Sequence, residues 1–110
     1  MTLHTDSFSS AMADIPQFHF SRGFFERPGG LRLHYVDQGR GPAVLMVHGN
    51  PTWSFFWRHL IRALAPQYRC LAPDHMGMGL SSRPSEAEYS FRLADRVADL
   101  TALVEGVAPD

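Results

Sequence analysis

His48-Gly49-Asn50-Pro51-Thr52-Trp53 follows directly on the apolar run Ala43-Val44-Leu45-Met46-Val47, so a strand is expected to end at a sharp turn carrying a side-chain amide. Glycine frees the backbone there, and an X-Pro bond is the one type that takes the cis form at modest cost. Such a turn can aim backbone N–H groups and the Asn50 amide at an anion. Asn50 is also at home as an ordinary turn residue, and the flanking Gly49 and Pro51 are what favour the donor reading. A second loop, Asp74-His75-Met76-Gly77-Met78-Gly79-Leu80-Ser81-Ser82-Arg83-Pro84, brings a carboxylate and an imidazole to the end of another short apolar run.

The elements that must position these loops follow from punctuation and periodicity. Phe24 to Arg27 and Leu31 to Asp37 flank Pro28-Gly29-Gly30, and Leu31, Leu33 and Tyr35 alternate with Arg32 and His34. This predicts a hairpin with one wet face. Gly39-Arg40-Gly41-Pro42 is a second turn, and the non-alternating Ala43 to Val47 run after it suits a strand covered on both faces, inside a sheet. Trp53, Phe56, Trp57, Leu60, Ile61 and Leu64 then fall at helical spacing, with Arg58, His59 and Arg62 opposite, Thr52 or Ser54 as cap and Pro66 as stop. Tyr68 to Ala72 reads as a second buried strand closed by Pro73-Asp74. Ser90 is the expected cap of a last helix with Leu93, Val97, Leu100, Val104 and Val107 as its inner stripe, while Arg92, Asp95, Arg96 and Asp99 read as a solvated face.

The order β-hairpin, β, α, β, α predicts an α/β fold, mostly parallel at its centre. In open α/β sheets ligands bind beyond the carboxyl ends of the strands, and both unusual loops belong to that edge.

Composition narrows the partners. The 110 residues are 45% hydrophobic, enough for one small core, and the net charge of −1 with basic residues spread along the chain argues against a nucleic-acid surface or a polybasic membrane patch. The single Cys70 excludes an intrachain disulfide and a Cys-based metal cluster. Met1 to Pro16 has no basic n-region and no continuous apolar stretch, so a secretory signal is not expected, and no run approaches a membrane span. The chain is expected to be cytoplasmic, with a loosely ordered leader over 1–22 and the folded part over 23–110.

Leu45 to Arg58 and Pro73 to Pro84, with His-Gly-Asn-Pro-Thr-Trp in the first and Asp-His-x-Gly-x-Gly in the second, resemble the α/β-hydrolase superfamily. Within it they look like the haloalkane dehalogenases and the related bacterial β-lactone decarboxylases; the resemblance runs from Phe24 to about Val107. It implies that Asn50 supplies one oxyanion-hole N–H and, in the dehalogenase branch, a side-chain amide to the departing halide. Epoxide hydrolases resemble His-Gly-Phe-Pro at this position, so Asn50 speaks against that branch. Gly49, His48, Pro51 and Asp74 become architecture of the site, and the catalytic His is expected near the C-terminus of a complete member, not at His48. Trp53 and His75 are candidates for the pocket lining, with core packing and a loop strut as the better readings; Trp57 is core.

The resemblance also implies a nucleophile elbow, an acid and a His, in that order. None is recognised here: Gly79-Leu80-Ser81-Ser82-Arg83 lacks the final glycine of Gly-x-Ser-x-Gly, and the elbow is expected after Asp110. The chain therefore reads as an N-terminal portion of such an enzyme, itself inactive, acting in the whole protein on a small apolar substrate without metal or organic cofactor. A serine esterase of the same fold and a non-catalytic remnant are the alternatives.

Overall fold

The protein is described by a computed structural model over residues 17–109. Most of the expected leader lies outside these residues. Within them order starts before residue 23, because Phe18 is buried in the core.

β1 (Arg22–Arg27) and β2 (Leu31–Gln38) are joined by the tight turn Pro28–Gly30 and pair antiparallel, with Arg27 opposite Leu31 and Arg22 opposite Val36. β3 (Ala43–Leu45) leads through the His48 turn into a short 3-10 turn, Ser54–Trp57, and helix α1 (Arg58–Leu64). β4 (Arg69–Pro73) and the long helix α2 (Leu93–Val107) follow. The sheet order is β1-β2-β4-β3: β4 runs antiparallel to β2 and parallel to β3. The parallel part is thus the β3–β4 pair, extended by the Met46 N–H donating to the Leu71 carbonyl at 2.8 Å. The turn before β3 is sterically tight. Gly39 has φ +97, and a Cβ placed on it would lie 2.2 Å from the Tyr68 carbonyl oxygen, so only glycine lets the chain pass there.

One face of the sheet carries the main core. Phe18, Val36, Met46, Ile61, Cys70 and Ala72 are buried together, with Trp53, Phe55, Trp57 and Leu64 packed against them. Phe18 meets Trp53 edge-on at 5.1 Å and Phe55 at 5.5 Å, an arrangement aromatic rings favour.

Four expectations are corrected. The hairpin has no wet face at β2, where His34 is as buried as Leu33 and Val36. The α2 stripe is rotated: Leu93 and Val97 are 79% and 52% exposed, whereas Leu103 and Asp99 are buried. Asp99 is drawn in by partners distant in sequence, accepting from Arg27 Nε at 2.8 Å and from the Tyr89 hydroxyl at 2.6 Å. Neither helix has the expected cap. Ser90 lies outside α2 and donates to the Asp95 carboxylate, and neither the Thr52 nor the Ser54 side chain caps Ser54–Trp57 or α1.

β3 is not enclosed on both faces. Met46 points into the core, but Leu45 and Val47 are each 39% exposed, and β3 ends the sheet with one side unpaired among the described residues. An unpaired apolar edge is a template for another strand. The isolated chain should therefore self-associate or fold only partly in sedimentation velocity runs. A monodisperse monomer with one sharp thermal transition would contradict this.

Candidate functional site

The carboxyl ends of β3 and β4 lie side by side because the two strands are parallel, and the His48 and Asp74 loops leave from them. Two groups of hydrogen bonds join these loops.

The first is a histidine clamp. The His75 backbone N–H donates to His48 Nε2 at 3.0 Å, and His75 Nε2 lies 3.1 Å from the His48 carbonyl oxygen. A backbone N–H can only donate, so His48 Nε2 is unprotonated and its proton sits on Nδ1, 2.6 Å from the Gly49 carbonyl oxygen. By the same logic His75 donates from Nε2. The rings lie 4.4 Å apart. Both nitrogens of His48 are engaged, so a buried His48 holds the turn and has no free nitrogen for proton transfer.

The second is centred on Asp74, which is fully buried. Its Oδ1 accepts from the Ser54 N–H at 2.6 Å; Oδ2 accepts from the Leu80 N–H at 3.0 Å and from His34 Nδ1 at 2.9 Å. Burial pushes the carboxyl upward, but the hydrogen bonds from His34, Leu80 and Ser54 outweigh it and hold it below its ordinary value. Asp74 thereby receives the first N–H of the Ser54 turn, the service Thr52 or Ser54 was expected to provide. Gly79 leaves room for it: with φ +54, a Cβ there would fall 2.3 Å from Asp74 Oδ2.

Between these anchors, Gly49, Asn50 and Pro51 are exposed, and the Asn50–Pro51 bond is cis. The Thr52 N–H donates to the Gly49 carbonyl at 3.3 Å. No hydrogen bond to the Asn50 amide is formed among the described residues, so its donors are open to a ligand. Trp53 is half-buried and stacks on Phe55 at 5.5 Å, a member of the core cluster and not of an open wall. No group of three or more His, Cys, Asp or Glu side chains among the described residues is disposed to hold a metal ion. No helix among them is long and apolar enough to cross a membrane.

The alpha/beta hydrolase fold family matches residues 42–107, the stretch that contains both loops. The chain belongs to the α/β-hydrolase fold family. The chain is 46% identical over 88 residues to a cis-3-alkyl-4-alkyloxetan-2-one decarboxylase of Shewanella oneidensis, covering 80% of this chain and 27% of that one. It is 52% identical over 77 residues to haloalkane dehalogenase 2 of Mycobacterium bovis, covering 69% and 27%. Among solved structures, a haloalkane dehalogenase of Paraglaciecola agarilytica superposes with a TM-score of 0.77 at 26% identity, over 89% of this chain and 35% of that one. An epoxide hydrolase from an endophytic Streptomyces gives 0.69 at 43% identity, over 77% and 25%. The backbone is therefore shared with a haloalkane dehalogenase and an epoxide hydrolase, and the chain spans about a quarter to a third of the length of these relatives.

His34 and Ser54 were missed as parts of the site. A signal for His34 was present: Val36, two residues on and so on the same strand face, is apolar, which already breaks the wet-face alternation.

The clamp should be pH-sensitive. Burial, then the neighbouring His48 and Arg96, hold the His75 imidazole below its usual value. A histidine lowered in the folded state contributes stability above about 6.5, and this is lost as pH falls from there toward the folded value. Hydrogen-exchange protection of the His75 and Thr52 amides should therefore drop as pH falls from about 7 to about 5. Constant protection factors over that range would exclude it.

Proposed function

We propose that Asn50, with the backbone at Gly49 and Asn50, forms half of the anion hole of an α/β-hydrolase-fold enzyme of the haloalkane dehalogenase and β-lactone decarboxylase branch. In the whole protein an Asp carboxylate outside this chain attacks an apolar substrate. With a haloalkane its oxygen forms a bond to carbon as the carbon–halogen bond breaks, and the halide departs with the bonding pair toward Asn50. Water then hydrolyses the ester. A neutral amide suits this task, since it stabilises developing charge without a tight ion pair that would hinder release.

The observation that carries the reading is the exposed Asn50 amide on a turn fixed from both sides, by the His48–His75 clamp and by Asp74. Similarity to a haloalkane dehalogenase and an alkyl-oxetanone decarboxylase supports an apolar substrate, either a haloalkane or a long-chain β-lactone. His48, Pro51 and Asp74 are the architecture, His75 is a strut, and no cofactor takes part. A cytoplasmic location belongs to the same reading.

The test is a chimaera in which residues 24–107 replace the matching segment of the Mycobacterium bovis dehalogenase. Halide release from a haloalkane should persist within about tenfold of the parent, one factor of ten being about 1.4 kcal/mol of barrier. A folded chimaera without halide release would overturn the reading.

A further inference from the structure

We infer that His34, on the far side of β4 from the turn, is the positioning residue of the Asn50 turn and acts through Asp74. The inference deepens the proposed function and rests on it only for its catalytic meaning; the geometry stands by itself. β2 and β3 flank β4 on opposite sides, so a side chain on β2 has no direct route to the turn after β3. The Asp74 carboxylate provides one. His34 Nδ1 and the Leu80 N–H both bind Oδ2, which fixes the rotation of the carboxylate and presents Oδ1 to the Ser54 N–H, four residues beyond Asn50.

Of the two donors on Oδ2, Leu80 belongs to a loop, whereas His34 belongs to the sheet. The ring is held on its other side by Phe24, edge-on at 5.5 Å. The His34 backbone is held independently: its N–H donates to Ser81 Oγ at 2.8 Å, and its carbonyl accepts the Asp74 N–H at 2.8 Å. Changing the ring should therefore leave the β2–β4 pairing in place while freeing the carboxylate. His34 also helps keep Asp74 ionised against the opposing effect of burial. Without that donor the carboxyl should protonate at higher pH, and a protonated carboxyl is a poor acceptor for Ser54.

The test uses the chimaera that carries residues 24–107, with hydrogen exchange read residue by residue against pH. His34→Phe keeps a ring of similar size without the donor. His34→Asn returns a donor near the Nδ1 position, and His34→Gln places it one bond further out. Exchange at Ser54 should rise about tenfold in His34→Phe, as for one lost buried hydrogen bond, while Phe25 and Leu33, which face each other across the hairpin, keep their protection. The pH at which Ser54 loses protection should move up in His34→Phe and return toward the wild-type value in His34→Asn. Should His34→Phe not fold, the comparison of His34→Asn with His34→Gln decides: the Asn variant must protect Ser54 better. Unchanged protection at Ser54, uniform loss over the whole chain, or equal protection in those two variants would each overturn the inference. None of these readings involves an anion, so failure of the proposed function would leave them intact.

Discussion

Replacing Asp74 with alanine is expected to destabilise the fold by about 3–5 kcal/mol, as for removal of one partner from a buried hydrogen-bonded network built on a carboxylate. Three buried donors converge on this carboxylate: the Ser54 N–H, the Leu80 N–H and His34 Nδ1. Alanine leaves all three without an acceptor. Small domains are stable by only about 5–15 kcal/mol, so the loss is a large fraction of the total and the variant should unfold at a much lower urea concentration than the parent chimaera at neutral pH. Asn at this position is informative in a different way. Its oxygen can serve two donors on the Oδ2 side, but its NH2 then faces the Ser54 N–H, so about 1–3 kcal/mol should be lost and the Ser54 turn should loosen first. Since the folded value of Asp74 is lowered, its contribution is present above the ordinary carboxylate range and disappears as pH falls through the folded value. The difference between wild type and Asp74→Asn should shrink over that acidic window. Equal urea midpoints for all three proteins at pH 7 would remove Asp74 from the account.

Asn50→Ala should do the opposite: little change in stability and a large loss of turnover. The residue is exposed and its amide holds nothing among the described residues, so truncation breaks no hydrogen bond there. In the chimaera it should reduce turnover by on the order of 10²-fold, the usual cost of losing an oxyanion-hole donor, or about 2.7 kcal/mol of barrier. The pair of variants separates the two jobs of this strand edge. Asp74 builds the turn, and Asn50 uses it.

How much of this could be read from the sequence depended on whether a residue's surroundings are local. The hairpin around Pro28–Gly30, the buried strand Arg69–Pro73 and the strand-turn-helix at His48 are written in contiguous residues, and the structure has them. The same holds for the family, since the two motifs are short runs at strand ends. His34 and Asp99 were misread for the opposite reason. Each sits at a position where period or charge suggests solvent, yet each is buried by a partner far along the chain, Asp74 for His34 and Arg27 for Asp99. Helical spacing gave Leu93 and Val97 an apolar stripe but not the direction in which α2 turns. That direction is set by the Asp99 contacts with Arg27 and Tyr89, and Gly106 fits so closely against the Phe25 ring that a Cβ would lie 2.6 Å from it. The displaced cap of the Ser54 turn has the same origin: a carboxylate twenty residues downstream accepts the Ser54 N–H.

The most direct test of the central claim is the single-turnover rate of halide release, measured in the chimaera and in its Asn50→Ala variant before ester hydrolysis contributes. Loss of about 10²-fold in this step, with the thermal midpoint unchanged, is the outcome that follows if Asn50 receives the leaving anion. Equal single-turnover rates in the two proteins would contradict it and reduce the turn to architecture.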